Sequence, residues 1–215
     1  HVTGAALQFP PVHTAPADTW AATRQLAEYA YVGPTVPQKT RGYGDIVGPT
    51  IRISPGTTLT LTLNNNLPAA GFDTSALHNQ FKSVDVTNLH THGLHIDGNA
   101  PGDSVFIEVA AGASYTYTYT LPDNHMGGTF WYHPHLHGST AIQAGGGACG
   151  MIIVEDPPGY LPDEIANMEE VPMIMQHLNM DELTTISQLY ETNCESAGGT
   201  ATQCDDTFWV AGPWT

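Results

Sequence analysis

Two stretches of this chain alternate apolar and polar residues with period two: "GPTIRISPGTTLTLTLNNNLP" at residues 48–68 and "ASYTYTYTLP" at residues 113–122. Only an extended backbone sends successive side chains to opposite faces. The first stretch therefore predicts two half-buried strands joined by a Pro-Gly turn. The second predicts a strand with Tyr115, Tyr117 and Tyr119 on one face and threonines on the other. "SVDVTNLHTH", "GGTFWYHPHLHG" and "CGMIIVEDPP" read as further strands, the last continuously apolar. Short strands at regular spacing, 22 Gly and 16 Pro over 215 residues, and little helical periodicity point to an all-β sandwich or barrel. One short helix is expected in "ADTWAATRQLAEYAY", within a poorly patterned stretch at 1–44. The domain is expected to close near residue 158. Residues 159–170 read as a linker. "VPMIMQHLNM" reads as the first strand of something new, and 171–215 are too few for a second core.

Charge narrows the partners. Lys and Arg number 5 against 21 Asp and Glu, a formal net charge of −16. Phosphate contacts need cations, so a nucleic-acid partner is excluded. No apolar run approaches the ~18 residues of a membrane span. The acidity suits solubility in extracellular water, or attraction of cationic substrates such as metal ions. A start at His1 without Met is what a processed, exported protein would show. Cys194 and Cys204 flank "CESAGGTATQC" and could close it as a disulfide, which needs an oxidising compartment. Cys149, ahead of an apolar strand, reads as a small buried thiol.

The chemistry lies in two histidine clusters, "NLHTHGLHIDG" at 88–98 and "TFWYHPHLHGST" at 129–140. On a strand, residues i and i+2 share a face. His90 with His92, and His133 with His135, can therefore each present two imidazoles. Side by side, the two strands would bring four together. Four neutral imidazoles with no Cys or obligatory carboxylate favour copper or zinc. His95 and His137 are expected to orient ligands rather than bind metal. His1, His13, His78, His125 and His177 are expected at the surface or satisfied in the core.

These motifs resemble the first two copper motifs of the multicopper oxidases, the laccase-like family, and the strand signature at 48–68 is also similar to that family's. The resemblance covers residues 45–158 and reaches the start of a second domain at 171. It implies a cupredoxin-like Greek-key β-sandwich for residues 1–158, followed by an incomplete second cupredoxin domain at 171–215. It implies that His90 ligates a type 2 copper and that His92, His133 and His135 ligate a type 3 pair. Asp103, in "APGDSVF", stands like the family's acidic residue that helps deliver protons to oxygen; a turn residue before Ser104 is the other reading.

The departures from the family pattern are equally informative. The family's cluster uses eight histidines, and this chain supplies four. The HxxHxH and HCHxxxH stretches of a C-terminal domain are absent. Pro134 stands where the type 1 thiolate would be, and Cys149 with Met151 lacks an adjacent His, so the type 1 copper belongs elsewhere. The implied protein is the amino-terminal part of a secreted or periplasmic oxidase. It would couple oxidation of phenols or metal ions to reduction of dioxygen to water, completed by a C-terminal half or a second polypeptide. The rival readings are a non-catalytic copper-binding or storage module and a mononuclear zinc or iron enzyme. Against the last, Asp97 follows rather than precedes the third His of "HTHGLHID", and "HPHLHGSTAIQ" has no Glu.

Overall fold

The computed structural model describes residues 28–31, 48, 50–67, 69–145, 148–175, 177 and 180–204. Among the described residues, seven strands form two sheets. One sheet has the order β1-β3-β5, from β1 (Glu28–Tyr31), β3 (Thr58–Asn64) and β5 (Ser114–Thr120), all antiparallel. The other has the order β2-β7-β6-β4, from β2 (Ile51–Ile53), β7 (Gly150–Val154), β6 (Gly128–His133) and β4 (His90–His92). In it β2 runs parallel to β7, and the remaining pairs are antiparallel.

The inner faces share one core. Leu59, Leu61 and Leu63 of β3 meet Ile51 and Ile53 of β2, Tyr117 and Tyr119 of β5, Tyr132 of β6 and Ile152 and Val154 of β7. Every one of these is buried, as the alternation requires. On the outer face, the Thr58 and Thr120 hydroxyls lie 3.1 Å apart and those of Thr62 and Thr116 3.0 Å apart, across the β3–β5 pair. The all-β sandwich read from the sequence is therefore the fold found. The two strands at 51–64 are present too, but they belong to different sheets, so the Pro-Gly turn carries the chain between layers.

Three local expectations are corrected. Glu28–Tyr31, the end of the expected short helix, is a strand: it pairs with β3 from Glu28↔Asn64 to Tyr31↔Leu61. The other residues of that helix and of the 1–44 extension, His1 and His13 included, lie outside the described residues. The strand expected over 83–92 shrinks to His90–His92. Side chains take its upstream backbone groups: Gln143 Nε2 donates to Val84 O (3.0 Å) and Val86 O (2.8 Å), and Asn65 Nδ2 donates to Asp85 O (2.7 Å). Those carbonyls are no longer available for a ladder. Finally, the described residues of "VPMIMQHLNM" up to His177 are not in a strand.

Four helices complete the described chain: α1 (Thr140–Gly145), α2 (Asp163–Ala166), α3 (Met180–Ser196) and α4 (Ala201–Cys204). The expected Cys194–Cys204 disulfide is formed. Both cysteines are buried with Val84, Ile142 and Tyr190 in a second small core, so α3 and α4 dock on the loop before β4 and on α1. Cys149 is only partly buried. In the stretch read as a linker, the Arg52 guanidinium pairs with Glu170, and with Glu155 at 2.8 Å. Among the described residues, no helix is long and apolar enough to cross a membrane.

Tyr132 is fully buried beneath two glycines: a Cβ built on Gly48 would lie 1.8 Å from its hydroxyl oxygen, and one on Gly150 2.1 Å from its Cζ. The ring is boxed in and cannot swing away. Gly150→Val is expected to cost about 1–3 kcal/mol of stability through overpacking, read as a lower urea midpoint.

Candidate metal centre

The histidines lie on the side of the four-stranded sheet that faces away from the core. In β6, Phe130 and Tyr132 turn inward, so Trp131 and His133 turn outward. In β4, Thr91 is buried between His90 and His92, so the two imidazoles again face out. The register places His90 directly opposite His133, and His92 opposite Trp131. Gly93, with φ +96°, turns the chain sharply after His92, and a Cβ there would lie 2.9 Å from Phe130 Cδ1. The glycine after the His-x-His pair is thus required twice over, by conformation and by space.

One ligand atom from each of His90, His92 and His133 falls within 4.8 Å of the others. His90 is the hub: its ring centroid lies 6.0 Å from His92, 5.4 Å from His133 and 5.0 Å from His135. His135 stands beside this trio but outside the convergent group. All four expected ligands therefore gather on one patch, three of them around a common point.

One buried ring nitrogen stands without any partner. His133 holds its Nδ1 2.9 Å from the Pro134 carbonyl, which makes Nδ1 the protonated nitrogen. Its Nε2 is buried with no hydrogen-bond partner. Burial pushes this imidazole below its ordinary range; the hydrogen bond to Pro134 opposes that, and the His90, His135 and His92 rings add to it. The ring stays neutral, as a ligand must. His90 Nδ1 is buried as well, and it lies 2.9 Å from Asp103 Oδ2, so the carboxylate faces that nitrogen and the ring's other nitrogen is the one free for an ion. An orphaned buried nitrogen is costly in a dry protein; a bound cation removes that cost. The donor set fits copper.

Asp103 lies beside His90. Its Oδ1 accepts the Thr91 N–H at 2.8 Å, which caps the outer edge of β4, an edge strand. Asp103 thus reaches a ligand and the strand that carries it. His95 does not touch the cluster. Its backbone N–H donates to His125 Nε2 at 3.0 Å, while His125 Nδ1 lies 2.8 Å from Met126 O. His125 is thereby the satisfied core histidine expected. His137 is exposed, and no contact of its ring with the four histidines is seen.

Two residues were not singled out from the sequence. Trp131 stacks on His133 at 4.2 Å and on His92 at 5.2 Å. Asn88, wholly buried, joins three segments. Its Oδ1 accepts the His135 N–H at 2.6 Å, and its Nδ2 donates to Val105 O at 2.9 Å and Ile107 O at 3.0 Å. Its place two residues before His90 was the only available signal.

A β-sandwich with convergent imidazoles on one sheet face, and no Cys or carboxylate in the convergent group, has the donor geometry of a histidine-liganded metal site. The family model for multicopper oxidases matches residues 29–159, more than half of the 215-residue chain, and the chain belongs to the multicopper oxidase family. It is 27% identical over 162 residues to multicopper oxidase mco of Staphylococcus aureus, covering 75% of this chain and 31% of that protein. It is 26% identical over 162 residues to copper resistance protein A of Escherichia coli, covering 72% of this chain and 23% of that one. A crystallised laccase from Pediococcus acidilactici is 28% identical and covers 60% of this chain and 25% of its own, with a TM-score of 0.42. The chain spans about a third of the staphylococcal relative's length, and less of the other two.

Two outcomes follow. Asn88→Ala strips partners from three backbone groups, one buried and two part-buried, and is expected to cost about 1–3 kcal/mol of stability, with weaker copper binding in an equilibrium titration. Copper occupancy is expected to fall on acidification, because protonated imidazole is not a ligand. His133, whose pKa burial lowers, is expected to protonate below the ordinary imidazole range, which histidine-resolved NMR of the metal-free chain checks.

Proposed function

We propose that this chain supplies half of the ligands of a trinuclear copper cluster in a multicopper oxidase. His90 would hold the type 2 copper, and His92, His133 and His135 the type 3 pair. The observation that carries this reading is the convergence of His90, His92 and His133 on the outward face of the sheet, with His135 beside them and both His92 and His135 exposed. A site open on that side suits completion by further ligands from outside the described residues. Three imidazoles around one point and a fourth set apart also suit more than one ion better than a single tetrahedral zinc. When bound, the coppers would supply one-electron redox chemistry and the site of dioxygen reduction to water.

The chain's own residues have separate tasks. His133 presents Nε2 because Pro134 holds Nδ1. Asp103 stands at His90, where it can hold a proton and release it toward the cluster. Its other oxygen is committed to the Thr91 N–H, so its position does not depend on its protonation state. The type 1 copper, which takes electrons from the reductant, would be held by chain outside these residues. The relatives' greater length supports a C-terminal half, in the same polypeptide or a second one. Residues 171–215 would lead into a second cupredoxin domain after the 159–170 linker, with the helices α3 and α4 packed on the first domain; the exposed Val171, Met173 and Met175 give further chain an apolar surface to cover. The reductant is a phenol or a metal ion, and the net charge of −16 leans toward cations. The disulfide supports a secreted or periplasmic location.

The test uses the oxidase that contains this chain together with its C-terminal part. His90→Ala and His133→Ala are expected to lower the copper count and abolish oxygen uptake. Asp103→Asn is expected to keep the copper and slow oxygen uptake by about 10²-fold or more. Full copper and full activity in both histidine variants would refute the assignment.

A further inference from the structure

Metal-binding histidines almost always have the second ring nitrogen fixed by a carboxylate, a backbone carbonyl or water. His133 follows that rule through Pro134, and His90 has Asp103 beside it. For His92, no protein group among the described residues hydrogen-bonds the imidazole, and the residue is exposed. What its ring touches is aromatic: His90, His133 and Trp131.

We infer that Trp131 is the positioning residue of the centre, fixing the His92 and His133 imidazoles by stacking where no described protein group hydrogen-bonds His92. The register supports this directly. Trp131 is the cross-strand partner of His92 and lies two residues before His133 on the same face. One indole thus reaches both rings, at interplanar angles of 24° to His92 and 26° to His133. An imidazole on an edge strand can turn about its side-chain bonds; a flat neighbour removes that freedom before the metal arrives. Trp131 does little else. It is 43% exposed, and its neighbours Phe130 and Tyr132 serve the core. A large apolar ring left this open on an outward face is explained by the two imidazoles it holds.

The inference rests on the reading of His92 and His133 as copper ligands. Its test is a Cu(II) titration of the full chain against a competing chelator, with the EPR spectrum of the Cu(II) form and the melting temperature of the metal-free form. Trp131→Leu is expected to weaken Cu(II) binding about tenfold and to shift the EPR hyperfine splitting, while the metal-free melting temperature holds. Trp131→Phe, which keeps a flat ring, should restore most of the affinity and the parent spectrum. Wild-type affinity in the Leu variant, or a Phe variant as weak as the Leu variant, overturns the inference while the ligand reading stands. If His133→Ala binds Cu(II) as tightly as the parent chain, the ligand reading fails, and the role of Trp131 fails with it.

Discussion

The antiparallel pairing of β4 with β6 is what the rest of the site depends on. Three residues of one edge strand meet three of its neighbour, with His90 directly across from His133. A slip of one residue would flip every side chain of β4, sending both imidazoles into the core and Thr91 to the surface. The register is held from within: Thr91 and Tyr132 are buried opposite one another. At the free edge, Asp103 takes the N–H that no strand receives.

Around that pair the chain spends side-chain amides rather than ladder hydrogen bonds. Asn88 fixes the backbone of His135 and the loop that follows Asp103. Gln143, on the helix after the second histidine cluster, holds the carbonyls of the segment leading into the first, and Thr87 Oγ1 donates to its Oε1 at 2.8 Å. The histidines thus ride on an irregular frame held by buried side-chain amides. Such networks are rigid only while every member is satisfied. The same construction explains why the site survives beside short strands: most of its precision comes from buried amides, not from strand length.

The sequence made the sandwich legible wherever the period was two. Leu59, Leu61 and Leu63, and Tyr117 and Tyr119, are in the core because alternation leaves them no other place. The four histidines were legible for the same reason, since a His-x-His pair on a strand shares a face. Less was legible where side chains compete with the ladder. Residues 83–89 read as strand from their composition, yet Gln143 and Asn65, distant in sequence, take their carbonyls. Glu28–Tyr31 read as the end of a helix, and pairing with β3 overrode that local preference. The stacking of Trp131 was hidden because nothing in "FWYHPH" says which residue stands across the sheet.

The central claim is that these four imidazoles are copper ligands that present half of a cluster on an open sheet face. Anomalous diffraction at the copper edge from copper-loaded crystals tests it most directly. The account predicts copper bonded to ring nitrogens of His90, His92 and His133, with His135 turned to the same cluster or to a second copper beside it. Copper bound elsewhere, with these four rings unmetallated, would contradict it.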